Sequence, residues 1–73
     1  MQQFLFSLSV SYEDYLRVYQ GTAKNIIVTC DNGLTLQLPA ERFRPFVSQL
    51  GVIGRFRLTT DNNHKFKSLE KII

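Results

Sequence analysis

Basic side chains alternate with other residues in "GRFRLTTDNNHKFKSL" (residues 54–69), on both sides of a polar turn. Alternation around a turn predicts two antiparallel strands joined as a β-hairpin. A three-residue loop, Asp61-Asn62-Asn63, with Asn63 in the left-handed conformation would fix the register of this hairpin. The cross-strand pairs that this loop predicts are Leu58 with Phe66, Thr59 with Lys65, and Arg57 with Lys67. The sequence therefore predicts a hairpin with cations outside and phenylalanines inside.

A hairpin face that carries only positive charge suggests contact with an anion. Like charges directly opposite each other destabilise a sheet by roughly 0.2–1 kcal/mol per pair, and the phosphates of nucleic acid would relieve that repulsion. Phe56 and Phe66 are predicted to point inward, so no exposed aromatic side chain is expected to read bases. The competing interpretation is a solvated basic face that discourages edge pairing. The five candidate anion-contact residues are Arg55, Arg57, Lys65, Lys67 and Lys71.

The excess of positive charge belongs to the second half of the chain. Residues 1–38 contain two basic and three acidic side chains, whereas residues 39–73 contain seven and three. The halves therefore carry −1 and +4, which together give the net charge of +3. An asymmetry of this kind favours an anionic partner but does not identify it.

Few residues of this sequence suit catalysis. His64 is the single histidine and lies at the end of a predicted loop, where a solvated turn residue is expected. Cys30 is the single cysteine, so the chain forms no internal disulfide, and we expect a buried and unreactive thiol. One histidine and one cysteine do not make a zinc site, and no glycine-rich phosphate loop is present. The sequence predicts a non-enzymatic protein with no catalytic residue, metal or cofactor.

The elements that position the candidate residues begin with a strand and a helix. Apolar and polar residues alternate over residues 4–10, which predicts a half-buried strand. Ser11 is the expected N-cap of a helix of about nine residues that ends at Gly21. Glu13 and Arg17 are expected to form an exposed ion pair on this helix.

A first hairpin is predicted in "IIVTCDNGLTLQL" (residues 26–38). A two-residue turn, Asn32-Gly33, would mix apolar and polar side chains on both faces. A three-residue loop, Asp31-Asn32-Gly33, with Gly33 left-handed makes one face entirely apolar, so we predict that loop. The resulting pairs are Cys30 with Leu34, Val28 with Leu36, and Ile26 with Leu38.

Two prolines bound the segment between the hairpins. Pro39 is expected to end a strand and to begin a helical turn through residues 40–42. The turn is expected to be brief because Pro45 disfavours the helical conformation at the residue before it. Phe43 and Phe46 are its predicted anchors in the core, and residues 47–54 are read as a connection between elements.

The predicted fold is α+β, a single domain over residues 1–73. It consists of a small, mostly antiparallel curved sheet or open barrel of about five strands. One short helix follows the first strand, and a helical turn lies near Pro39. No apolar stretch approaches the about 20 residues that a membrane-spanning helix needs, so we expect a cytoplasmic protein with no membrane contact.

Apolar residues in exposed positions suggest a second kind of surface. Ile27 lies on the otherwise polar face of the first hairpin, and Leu69, Ile72 and Ile73 break the alternation of the last strand. That break requires a bulge near Ser68 or a contact with another chain. The candidate partner surface is Ile27, Ile72 and Ile73, and its occupant is an unidentified protein or a second copy in a homodimer. The sequence thus predicts protein–protein interaction, with sequence-nonspecific nucleic-acid binding as the alternative.

Five motifs together resemble a known family. They are "YLRVYQGTA", "DNG", "LPAERFRPFV", "GVIGRFRL" and "KFKSL", and they span nearly the whole chain. In this combination the sequence resembles the bacterial family catalogued as domain of unknown function 2835. The resemblance implies a small, free-standing bacterial cytoplasmic protein and implies no activity, cofactor or catalytic residue.

Overall fold

The computed structural model describes residues 1–22 and 24–73, which form five strands, one α-helix and one 3-10 helix. In chain order these are β1 (Gln2–Ser11), α1 (Tyr12–Gln20), β2 (Asn25–Thr29), β3 (Thr35–Pro39), the 3-10 helix η1 (Ala40–Phe46), β4 (Gly51–Thr60) and β5 (Phe66–Lys71). The predicted α+β fold, with about five strands, a helix after the first strand and a helical turn near Pro39, is confirmed.

The strands form two antiparallel sheets. One sheet has three strands in the order β1-β4-β5, and the other is the β2-β3 hairpin. The sheets meet at one edge of β1, where Phe6 bridges Cys30 and the Asp31 N–H donates to the Leu5 carbonyl at 2.8 Å. β5 lies at the opposite edge of the three-stranded sheet. The strands within the described part of the chain therefore do not close into a barrel.

Phenylalanines from three elements form the centre of the core. Phe6 of β1, Phe43 of η1 and Phe56 of β4 are fully buried. The Phe6 and Phe56 rings stack with centroids 5.6 Å apart, and Phe43 meets Phe56 edge-on at 5.6 Å. Aromatic pairs of this kind contribute about 0.5–1.5 kcal/mol beyond their buried area. This packing holds the three elements together without help from a disulfide, because Cys30 is a free and buried thiol.

The helix α1 begins and ends where the sequence predicts. The Asp14 N–H donates to the Ser11 hydroxyl at 3.2 Å, and the helix has nine residues before Gly21. The predicted ion pair, however, has a different acid. Arg17 binds Asp14 at 3.1 Å rather than Glu13, because residues three apart on a helix are neighbours just as those four apart are.

The register of the β2-β3 hairpin is as predicted. Val28 pairs with Leu36 and Ile26 with Leu38. The Cys30 N–H donates to the Leu34 carbonyl at 2.8 Å. Gly33 has φ of +90°, a conformation that glycine adopts without the clash a Cβ would cause.

The predicted register of the β4-β5 hairpin is wrong. Leu58 pairs with Leu69 rather than Phe66, Thr59 with Ser68 rather than Lys65, and Arg57 with Glu70 rather than Lys67. The left-handed residue is His64, with φ of +64°, and not Asn63. The loop is longer than predicted, because the Asp61 carboxylate accepts the backbone N–H groups of Asn63 and Lys65 at 2.8 and 2.9 Å.

A bulge explains why this register is favoured. Thr60 pairs with Phe66 and Thr59 with Ser68, so Lys67 has no Cα partner. One extra residue exchanges the two faces for the rest of the strand. Leu69 thereby packs against the core. The predicted bulge near Ser68 is confirmed, and it removes the direct opposition of like charges.

The segment between the hairpins begins as predicted, at Ala40, but differs from the prediction further along. The helical turn continues to Phe46 with Pro45 inside it, because residues three apart in a 3-10 helix share a side and both Phe43 and Phe46 reach the core. Residues 47–54 are not all connection, since β4 begins at Gly51. A Cβ on Gly51 would fall 2.0 Å from the Val10 carbonyl oxygen, so glycine lets β4 approach the end of β1.

Candidate interaction surfaces

The outer face of the three-stranded sheet is the side turned away from the phenylalanine core. Leu5, Ile53 and Ile72 lie there and keep 37%, 43% and 38% of their surface exposed, so the face is open to solvent. The strand registers set the positions of its members. The outer-face residues considered below are Leu5, Ser7, Ile53, Arg55, Arg57, Glu70 and Ile72.

Arg55 is paired on the outer face with an acid from the first hairpin loop. Its Nη1 donates to Asp31 Oδ1 at 3.2 Å and to Ser7 Oγ at 3.0 Å, and its Nη2 donates to Asp31 Oδ2 at 2.5 Å. A two-pronged pair of this kind is the geometry that guanidinium and carboxylate groups favour. The hydrogen bond from Arg55 holds the pKa of the Asp31 carboxyl below its ordinary value. Arg55 is therefore neutralised within its own chain.

Arg57 is paired in the same way with an acid on β5. Its Nε donates to Glu70 Oε1 at 3.2 Å, and its Nη2 donates to Glu70 Oε2 at 3.4 Å. The bulge in β5 places Glu70 directly opposite Arg57. Both arginines that were predicted to contact an anion thus meet a carboxylate on their own face.

One lysine of the predicted anion site, Lys71, does not lie on the same face as these arginines. Lys65 lies in the loop and Lys67 in the bulge. Lys71 pairs with the inward-facing Phe56. The stem of Lys71 occupies the space where a Cβ on Gly54 would stand. The prediction that five cations share one outer face is wrong because the bulge exchanges the faces of β5.

The predicted partner surface is also divided. Ile27 belongs to the β2-β3 hairpin and is 62% exposed, whereas Ile72 and Ile73 follow β5. The hairpin joins the three-stranded sheet at β1, and β5 lies at its other edge. The structure instead places Ile72 on the outer face with Leu5 and Ile53. Predicting this arrangement from the sequence would have required the correct register of β5.

A further basic and aromatic site was not found from the sequence. The Arg42 guanidinium carbon of η1 lies over the Phe66 ring of β5, 3.9 Å from its centroid. The two residues border a cleft of about 370 Å³ between η1 and β5, which we call the Arg42 cleft. Phe66 is half-buried rather than enclosed. Strand alternation indicated an inward Phe66 and gave no signal for the arginine that would cover it.

The remaining reactive groups are a histidine, a cysteine and a buried tyrosine. His64 is exposed in its loop, as predicted. Cys30 is buried, and burial raises the pKa of its thiol. Burial also raises the pKa of Tyr15, whose hydroxyl donates to the Ala40 carbonyl at 2.8 Å. Over residues 1–22 and 24–73, no three His, Cys, Asp or Glu side chains come together as a metal site.

The fold and its surfaces define a small α+β protein with two antiparallel sheets and one open sheet face. Its sequence matches the family model described as "Protein of unknown function (DUF2835)" over residues 2–72. The chain belongs to that family. Neither the curated proteins nor the solved structures contain a match to it. The described residues include no helix with the length and apolar character to span a membrane.

Proposed function

We propose that this protein is a non-enzymatic protein-interaction module that pairs with a second copy of itself through its outer face. The observation that carries the proposal is the combination of exposed apolar side chains with arginines that are already neutralised. We further propose a bacterial cytoplasmic protein, in keeping with the family resemblance of its motifs.

The apolar part of the outer face supports a contact with protein. Leu5 lies on β1, Ile53 on the neighbouring β4 and Ile72 directly after β5, and each is between a third and a half exposed. Outward positions of a solvated antiparallel sheet are usually polar. Apolar side chains that share such a face are typical of interaction sites, and removing them from water on association is favourable.

The charges of the outer face support a second copy as the occupant. Arg55 is bound to Asp31 and Arg57 to Glu70, so the face carries balanced charge although the chain carries +3. Two copies can therefore approach face to face without the repulsion that unpaired cations would cause. A twofold dimer buries the same patch on both subunits, and two sheets packed in this way lie about 10 Å apart.

The size of the face sets the expected strength of the dimer. Three strands at standard spacing form a face of about 14 Å by about 30 Å, or roughly 400 Å² per copy. The total of about 800 Å² lies below the about 1,200 Å² of stable specific interfaces. We therefore expect a dissociation constant in the micromolar range rather than an obligate dimer.

Sedimentation equilibrium from about 1 μM to about 500 μM, a range that brackets micromolar affinity, tests this proposal. The weight-average mass of the wild type should rise from 8.5 kDa towards twice that value. Ile53→Glu should remain a monomer, because it places a charge among the apolar side chains of the contact. Ile27→Glu is the matched control on the first hairpin and should still dimerise. A wild type that stays monomeric, or a dimer abolished by Ile27→Glu instead, would contradict the proposed contact.

Nucleic-acid binding through Arg55, Arg57, Lys65, Lys67 and Lys71 stays a prediction. It has less support than the dimer, because Arg55 and Arg57 have carboxylate partners and Lys71 lies towards the other side of the sheet.

A further inference from the structure

The Arg42 cleft lies away from the proposed dimer contact and combines features of a different kind of site. Phe66 pairs with Thr60 on the inward side of the sheet, whereas Arg57 and Glu70 point outward. The Arg42 guanidinium is exposed and lies 3.9 Å from the centroid of the Phe66 ring. The cleft therefore presents a positively charged planar group that is supported from below by an aromatic ring.

Two further cations lie next to Phe66 in the chain. Lys65 and Lys67 are the chain neighbours of Phe66, and both are exposed. The ion pairs found among the described residues include neither of these lysines nor Arg42. The acid beside them, Asp61, is engaged by the backbone of its own loop, whose hydrogen bonds from Lys65 and Asn63 hold its pKa low, with the Lys67 charge contributing. Arg42 over the ring and the two lysines on either side of Phe66 in the chain are thus available to an anionic ligand.

The lining of the cleft suits a planar group better than an extended charged one. Phe46 and Leu69 provide apolar walls, and the Ser68 hydroxyl and the Glu41 carboxylate lie at the rim. The ring of Phe66 also borders a second cleft of about 110 Å³ on the side of His64. Glu41 disfavours a phosphate on the η1 side, so phosphates should follow the β5 side, where Lys65 and Lys67 lie.

We propose that the Arg42 cleft binds single-stranded nucleic acid, with a base stacked on the Arg42–Phe66 pair and phosphates on Lys65 and Lys67. Unstacked bases bind to aromatic rings and to guanidinium planes. Sites without sequence preference combine such a platform with cations that follow the backbone. An acidic peptide would bind the cations, but its carboxylate side chains have no planar ring to stack on the Arg42–Phe66 pair. A duplex keeps its bases stacked on one another and would also leave it unused.

Fluorescence anisotropy with a labelled ten-nucleotide oligothymidylate tests the proposal on the full chain. The wild type should bind at low salt, and the two phosphate contacts at Lys65 and Lys67 predict a slope of log K against log salt of about −1.4. Phe66→Leu, which keeps an apolar side chain at this position, should weaken binding by about 5- to 150-fold, the loss of one stacked base. Arg42→Gln should weaken binding as well. Lys65→Gln with Lys67→Gln should reduce the slope by about 1.4.

The matched control is Arg57→Gln, which removes one positive charge from the outer face. It should bind the oligonucleotide as the wild type does, and thermal unfolding should show that every variant is folded. The proposal is overturned by no binding at low salt, by an equal loss in Arg57→Gln and Arg42→Gln, or by duplex DNA binding as tightly as the single strand. Competition by polyglutamate as strong as that by oligothymidylate would also overturn it, in favour of an acidic-peptide site. Because Arg42 and Phe66 lie outside the proposed dimer contact, failure here leaves the sedimentation result of Ile53→Glu unaffected.

Discussion

The loops of the two hairpins both begin with Asp-Asn, but they set the strand register in different ways. In the first, Gly33 takes φ of +90° directly after Asn32, and the loop closes in three residues. In the second no glycine is present, His64 takes φ of +64°, and the strands resume only at Phe66. The first register follows from a glycine-containing loop together with the apolar face that this loop gives the hairpin. The second depends on which side chains meet after the loop.

Side chains far from the second loop therefore decide the pairing of β4 with β5. The bulge at Lys67 lets Leu69 pack inward opposite Leu58 and brings Glu70 opposite Arg57. Without the bulge, Leu69 would face solvent opposite Arg57 and Ser68 would face the core opposite Leu58, which is unfavourable on both sides of the sheet. Core packing and ion pairing thus agree on a register that the loop sequence does not specify.

The largest expected change in the free energy of unfolding comes from truncating a buried side chain of either hairpin. Leu58→Ala should lower the free energy of unfolding by about 3 kcal/mol, and the matched Val28→Ala by about 2 kcal/mol, because both side chains are almost completely buried. Urea unfolding measures both values. Hydrogen exchange should show loss of protection in β5 for Leu58→Ala, whereas β3 should stay protected in Val28→Ala.

Equal loss of protection in both hairpins would contradict this difference. It would mean that the first register depends on core packing as much as the second does. Retention of β5 protection in Leu58→Ala would instead show that the five-residue loop and the bulge are sufficient without the buried leucine.

The sequence predicts those parts of the molecule that are set by local chemistry. Ser11 caps α1, Gly33 closes the first loop, and Pro39 ends β3, each for a reason visible within a few residues. The bulge at Lys67 is indicated only by the broken alternation at Leu69, and which register it produces depends on the burial of Leu69 in the core.

The candidate sites were less predictable for the same reason. The carboxylate of Asp31 and the guanidinium of Arg55 meet only because the two sheets join at β1. Arg42 lies over Phe66 only because η1 crosses β5. Contacts of this kind depend on how the elements pack, so they cannot be inferred from the types and spacing of residues in the sequence.

The second prediction concerns a substitution of the left-handed residue in each loop. Gly33→Ala should lower the free energy of unfolding by about 1–2 kcal/mol, because a Cβ strains this backbone conformation. No atom within 4 Å obstructs that Cβ, so strain alone should account for the loss. His64→Gly should leave stability unchanged or raise it by up to about 1 kcal/mol, since relief of strain outweighs the added freedom of the unfolded chain. Thermal and urea unfolding of both variants measure these effects.

Destabilisation by His64→Gly would contradict this account of the second loop. It would show that the histidine side chain makes a stabilising contact beyond its backbone role. His64→Ala keeps the strain and removes the ring, so comparison of the two variants separates the contributions.

The first residues of the two loops should respond to pH through different partners. Arg55 holds the pKa of Asp31 low, and backbone N–H groups hold the pKa of Asp61 low. A carboxyl whose folded pKa is depressed stabilises the protein above its unfolded pKa, about 3.9 for aspartate. That contribution is lost as the pH falls from there through the folded pKa. Stability of the wild type should therefore fall below about pH 4, and both Asp31→Asn and Asp61→Asn should make that fall shallower.

Salt distinguishes the two aspartates at neutral pH. Asp31→Asn removes an exposed ion pair with Arg55, so the wild type's advantage over it should shrink as salt is added. Asp61→Asn keeps an oxygen that accepts the N–H groups of Asn63 and Lys65, so its loss of stability near pH 7 should depend less on salt than that of Asp31→Asn. An acid response identical to the wild type in both variants would show that neither loop carboxylate is linked to folding.

The smallest expected effect tests the register through a single surface pair. A double-mutant cycle of Arg57→Ala and Glu70→Ala should give a coupling free energy of about 0.2–1 kcal/mol, because the two side chains are paired and only partly exposed. The matched cycle of Arg57→Ala and Lys67→Ala should give no favourable coupling, since Lys67 lies in the bulge and has no partner opposite it. If the register predicted from the sequence were correct, Arg57 would show a repulsive coupling to Lys67 and no coupling to Glu70. The sign of two small couplings therefore decides whether the bulge keeps like charges apart.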